Sequence, residues 1–233
     1  MELRESTPRI TSGYCEGSGK KKPGYSEILK GEQLPKSDPA CKLQSLGWKV
    51  AILSARCVAE MPIPDAEASH FLTWINSNFF SLGAYAFNKG NTDHRVFPTN
   101  CVQQLEAEVQ RMKTFITRET GRAATDFIRL KSSYGLLVEE TQLTVRETEA
   151  EFVSWMYDIR IVSDFYSHLD KDSESAFVRY KRMRTLGDFL NRLSTYLFWM
   201  NQYHALLFQI AEGLPFEYAE WKSNIEVGLL FPE

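Results

Sequence analysis

Apolar residues recur at helical spacing along most of the chain, most densely between Thr148 and Ala211. Phe152, Trp155, Met156, Ile159, Val162, Tyr166 and Leu169 advance mostly in steps of three and four, which places them on one face of a helix. Thr148 is expected to cap that helix, its hydroxyl accepting from a first-turn N–H, with Glu149 and Glu151 at the positive end of the dipole. Asp170, Lys171, Asp172 and Ser173 interrupt the pattern. A second series runs through Leu186, Phe189, Leu190, Leu193, Leu197, Met200, His204 and Leu207, and Gly213 and Pro215 end it. Two such helices joined by a charged connection are expected to pack antiparallel as the nucleus of the core.

Upstream the periodicity changes. Between Leu46 and Val58, Trp48, Val50, Ile52 and Ser54 alternate with Lys49, Ala51, Leu53 and Ala55, a period of two that predicts a strand with apolar members on both faces. Met61-Pro62-Ile63-Pro64 stops it, because proline carries no backbone donor. Asp65 is expected to cap one helix reaching Phe87, with Phe71, Leu72, Ile75, Phe79 and Leu82 on its apolar face. After a polar loop, 88–100, the residues Val102, Leu105, Val109, Met112 and Ile116 recur at three, four, three and four. That is a short heptad seam, suited to a helical hairpin or to a dimer, with Gly121 as its C-cap. Helical pattern resumes from Ala123 to Tyr134, and Gln142–Arg146 reads as a short second strand. The expectation is therefore a mainly α chain: a helical bundle with a minor β-strand element over residues 43–233, preceded by a disordered basic tail over 1–42 that is rich in Gly, Ser, Pro and Lys.

Composition narrows the function classes. With 233 residues, 43% hydrophobic and 13% aromatic, the chain has enough apolar material for a real core. A net charge of −3 is not the profile of a wholesale nucleic-acid binder, although a local patch can act inside an acidic protein. No apolar run approaches the roughly 20 residues of a membrane span, and no apolar leader opens the chain, so a cytoplasmic protein without a membrane partner is expected. Four scattered cysteines, Cys15, Cys41, Cys57 and Cys101, suit reduced thiols rather than a disulfide framework.

Catalytic and metal-binding patterns are incomplete. Gly17-Ser18-Gly19-Lys20 lacks the phosphate-loop spacing, with Tyr14 in place of the first Gly and Lys21 in place of Ser or Thr. Asp170–Glu174 opens like a calcium loop, but Ser175 and Lys181 occupy the positions that need Gly and Glu. Cys57, His70, His94 and Cys101 lack the close pairs of a zinc site. No cofactor, metal or catalytic set is expected from local motifs, and an active site would have to be assembled from distant residues.

Two surface features carry the binding expectations. Arg179, Lys181, Arg182 and Arg184 fall within six residues with no acid among them, suited either to a solvated turn or to phosphate contacts with double-stranded DNA. Trp221, Ile225, Leu229 and Phe231, with their neighbours Val227 and Leu230, either dock on the core or bind a protein partner.

The order of elements resembles that of the AcaB-like transcriptional activators of conjugative elements. The residues that carry the likeness are Val50-Ala51-Ile52-Leu53-Ser54-Ala55-Arg56 and the aromatic helix after it, Gln103-Gln104-Leu105-Glu106, and Tyr157-Asp158-Ile159-Arg160-Ile161-Val162-Ser163-Asp164-Phe165. The resemblance implies a homodimeric regulator with a ribbon-helix-helix-like element whose two-stranded ribbon enters the major groove. Leu46–Val58 would be that ribbon, and Lys49 and Arg56 its DNA contacts. A helical protein-interaction subunit and an enzyme with an assembled pocket are the competing expectations.

Overall fold

The computed structural model describes residues 24–27, 33–87, 101–121, 132–157 and 173–214; of 26, 27 and 173–179 it describes the backbone alone. These residues are mainly helical. Two short strands, β1 (Tyr25–Glu27) and β2 (Gln33–Pro35), pair antiparallel with Ser26 opposite Leu34. The minor β element thus lies within the stretch that composition assigns to a tail, and Lys36 N–H donates to Gly24 O to close it.

Helix α1 (Pro39–Ala59) replaces the strand expected at Leu46–Val58. Asp38 caps it, its Oδ1 accepting from Ala40 N, and Pro39 starts it with the fixed φ that suits a first turn. Its buried seam is Leu43, Gly47, Val50, Ser54 and Cys57, a step of four, three, four and three. Gly47 and Ser54 belong to that seam without being large apolar residues, so the helical period is invisible to a hydrophobicity count.

Asp65 caps α2 (Ala66–Phe79) as expected, its Oδ1 accepting from Ala68 N. The helix does not continue to Phe87. It breaks at Phe80-Ser81, where Ser81 Oγ donates to Asn78 O, and α3 (Leu82–Phe87) follows. α4 (Cys101–Thr120) ends at Gly121, whose φ of 65° is the left-handed conformation glycine adopts without strain. α5 (Ser133–Met156) begins fifteen residues before Thr148, capped by Ser132 Oγ accepting from Gly135 N. Thr148 is therefore buried mid-helix, its hydroxyl donating to Thr144 O, and Gln142–Arg146 is helical rather than a strand. Of the face expected up to Leu169, the residues after Tyr157 lie outside the described residues. α6 (Ser173–Ala211) is the long second helix, closed by Gly213 at φ 62° with Leu214 N–H donating to Gln209 O.

Contacts fix the arrangement. Asn201 Nδ2 donates to Gly135 O, Arg146 Nε to Ser194 Oγ, and Asn191 Nδ2 to Glu149 Oε1, so α5 and α6 run antiparallel, through an earlier segment than the 148–169 helix expected from the sequence. Lys42–Glu151 and Cys57–Thr141 set α1 antiparallel to α5, and Asn76 Nδ2 on Ala51 O joins α1 to α2. Phe71 on Tyr196 and Trp74 on Phe189 join α2 to α6. α1, α2, α6 and α5 are then successive corners of a four-helix bundle. α4 lies outside it, parallel to α6, through Arg192–Glu106 and Phe115–Tyr203. The heptad seam of α4 is spent within the chain: Leu105, Met112 and Ile116 are buried.

One end of the bundle holds polar groups. His204 is buried between the rings of Tyr134 and Tyr203, each 5.5 Å away. Its Nε2 is 3.9 Å from Asp65 Oδ2, too far for a hydrogen bond, and neither ring nitrogen has a partner among the described residues. Burial pushes the His204 pKa down, the Asp65 charge opposing and Arg111 assisting, so the ring stays neutral.

Two predictions follow from this packing. A Cβ at Gly47 would meet Phe79 O at 2.6 Å, and a backbone atom cannot swing aside. Gly47→Ala is expected to lose about 1–2 kcal/mol in urea unfolding, overpacking outweighing about 1 kcal/mol of helix propensity. His204 has a folded pKa below its ordinary 6.5. As pH falls through that value, the unfolded chain takes up the proton first, and stability drops. Unfolding free energy measured between neutral pH and mild acid is expected to fall less steeply in His204→Phe than in the native chain.

Candidate functional site

α2 and α4 both lie against α6 and leave a cleft between them of about 780 Å³, within the usual span of ligand-binding cavities. Helical spacing builds its walls. Ala66, Glu67, His70, Phe71 and Trp74 come from two turns of α2, and Cys101, Gln104, Leu105 and Glu108 from two turns of α4, with Tyr196 of α6 as the floor. Phe71 packs edge-on against Tyr196 at 5.0 Å and stacks on Trp74 at 5.9 Å, so the aromatic surface is held in place from behind. Trp74 is fixed in turn by Phe189, 6.0 Å away.

The rim is charged and partly self-neutralised. Arg111 Nε donates to Glu108 Oε2 at 2.8 Å, lies 4.0 Å from Glu67, and stacks over the Tyr203 ring. Burial, reinforced by the Asp65, Glu108 and Glu67 charges, raises the Tyr196 phenol far above its ordinary value, so it stays protonated and able to donate.

Two members of the sequence-derived zinc set, His70 and Cys101, share this lining. Cys57 does not: it faces Thr141 across α1 and α5, and burial pushes its thiol up to about 11. His94 lies outside the described residues. Burial also raises the Cys101 thiol, the direction that disfavours a reactive thiolate. Among the described residues, no three His, Cys, Asp or Glu side chains converge as metal ligands. No described helix is long and apolar enough to cross a membrane.

The nucleic-acid candidates do not converge. Lys49 and Arg56 are exposed on helix α1, not on a ribbon, and pair with Glu140 at 3.8 Å and Glu60 at 3.0 Å. The ribbon implied at Leu46–Val58 is absent because that segment is helical. Lys181, Arg182 and Arg184 are exposed near the start of α6, at the opposite corner of the bundle from α1, and have no ion-pair partner among the described residues. The side chain of Arg179, and all of Trp221, Ile225, Leu229 and Phe231, lie outside the described residues.

Sequence reasoning missed the cleft because its residues had been spent on the core. Phe71 and Leu105 are apolar-face positions, and nothing in their spacing says that two helices stand apart on a third. The available signal was the aromatic excess at Phe71, Trp74 and Tyr196. No protein-family model matches the chain, and no curated protein is significantly similar to it in sequence.

Proposed function

We propose that this chain is a regulatory or adaptor protein that works by receiving a segment of a partner protein in the α2–α4 cleft. The observation that supports the reading is the cleft's composition: an immobilised aromatic surface of Phe71, Trp74 and Tyr196 under a polar rim of Glu67, His70, Gln104 and Glu108. A groove between two antiparallel helices receives side chains presented from a helix or an extended segment. Apolar or aromatic anchors suit the floor, and donor groups beside them suit the carboxylates of the rim. Burial raises the Cys101 thiol, which disfavours the thiolate that a nucleophilic role in the same cleft would need.

A photo-reactive benzoylphenylalanine at Ala107, an exposed lining residue, is expected to crosslink a partner protein in extracts of the source cell; the same group at Leu143 on α5 is not. Filling the cleft by Ala66→Trp is expected to cut the yield about tenfold, the effect of roughly 1.4 kcal/mol. Equal labelling from both positions, or a yield indifferent to Ala66→Trp, overturns the reading.

A second reading is the DNA-binding regulator, favoured by Lys181, Arg182 and Arg184, which are exposed and have no ion-pair partner among the described residues. Three phosphate contacts give a slope of about −3 in log affinity against log salt, roughly a 40-fold loss between about 50 and 200 mM. Anisotropy with a mixed duplex pool is expected to show that slope and to lose it when the three residues become Glu. A salt-independent signal, or none, removes this reading.

A further inference from the structure

The α2–α4 cleft has an acidic end and an apolar end. Glu67, Phe71 and Trp74 follow one another along α2 at steps of four and three, so a carboxylate stands one helical turn before the aromatic surface. On α4, Glu108 lies at the level of Glu67, since Arg111 reaches both. The two helices run antiparallel, so Leu105 and Cys101 fall beside Phe71 and Trp74. Among the described lining residues, two are carboxylates and none is a lysine or arginine. Asp65 adds a third negative charge near the Tyr196 hydroxyl, where Glu108 and Glu67 also act and Arg111 opposes them.

Arg111 shows how a cation is held at this rim. Its Nε donates to Glu108 Oε2 at 2.8 Å, and its guanidinium lies 5.2 Å from the centre of the Tyr203 ring. A carboxylate thus takes the edge of the guanidinium and an aromatic ring takes its face. Glu67 is left with less. Its contact with Arg111, at 4.0 Å, is too long for a hydrogen bond, and its side chain is 75% exposed. It is the carboxylate of the cleft with capacity for a second cation.

We infer that the segment received in this cleft carries an arginine beside its apolar anchor, an inference that rests on the reading above. The anchor lies on Phe71 and Trp74, and the guanidinium reaches Glu67, in the manner that Arg111 already reaches Glu108. Arginine fits better than lysine because its planar fork can bond a carboxylate while its face stacks on a ring, and α2 places both kinds of group within one turn of each other. An acidic segment would meet Glu67, Glu108 and Asp65 together.

The test is selection of a random peptide library, displayed on phage, against the full chain at low salt. Only binders that Ala66→Trp fails to capture are kept, which confines them to the cleft. These are expected to be enriched in arginine within about four residues of an aromatic or aliphatic side chain. A synthesised binder is expected to lose about tenfold in affinity on Glu67→Gln and to weaken as salt rises from about 50 to 500 mM. Glu139→Gln, on the exposed side of α5, is expected to change neither. Glu67 is exposed, so its variant keeps the native thermal melt. Citrulline in place of the peptide's arginine keeps the shape and removes the charge. It is expected to weaken binding to the native chain as Glu67→Gln does, and to add little further loss in that variant. Cleft binders without arginine, or binders indifferent to Glu67→Gln, overturn this inference and leave the partner-cleft reading standing. A library that yields no binder sensitive to Ala66→Trp overturns both.

Discussion

The aromatic contact between α2 and α6 is the constraint from which the molecule's surface follows. Phe71, Trp74 and Phe79 of α2 meet Tyr196 and Phe189 of α6 ring against ring. Side chains of this size hold the two helices apart while still burying a large apolar area, at roughly 25 cal/mol per Å². α4, which rests on α6 through Phe115 and Tyr203, cannot close against α2 across that width. The cleft is a consequence of filling a bundle corner with rings: with leucines there, α2 would settle closer to α6 and the groove would narrow.

The opposite choice is made between α1 and the turn that ends α2. Gly47 lies under Phe79 O and Leu82, and Gly83 lies against Gln44. Glycine at both points lets two backbones touch, so α3 folds back tightly over α1. The bundle is thus wide at one edge and closed at another. The polar groups of Asp65, Tyr134, Asn201 and His204 sit at the end where α2 and α5 begin. His204 remains neutral there because an imidazolium would be taken out of water with Asp65 too distant to bond it.

Much of the helical content was legible in the sequence. The caps at Asp65 and Gly121 are used and the seam of α4 is real, because each rests on local chemistry or on large apolar residues at helical spacing. Thr148 misled because a hydroxyl that bonds the carbonyl four residues back resembles a cap when the preceding turns are polar. Glu139, Glu140 and Arg146 hid the first turns of α5, whose inner face includes Gly135, Thr141, Gln142 and Thr144 rather than a run of leucines. The cleft was not legible at all. It depends on which helices are neighbours, and residue spacing specifies faces without specifying what they face.

The misreading of α1 is the more informative failure. Trp48, Val50, Ile52 and Ser54 alternate with Leu53 and Ala55 because α1 is apolar on two sides: an inner seam at Leu43, Gly47, Val50, Ser54 and Cys57, and an outer stripe at Trp48, Ile52, Ala55 and Ala59. Two helical stripes superposed on one helix fill the gaps in each other's period and leave a short-range alternation that looks like a strand buried on both faces. An ordinary bundle helix has no reason to keep its solvent side apolar, since charged residues there cost the fold nothing and add solubility. On α5, the neighbouring corner, the outward side does carry Glu139, Glu140, Arg146 and Glu147 between its leucines. The same pattern that disguised α1 as a strand is therefore that of a helix whose outward side is apolar as well as its inward one, and the two periods together hide each other.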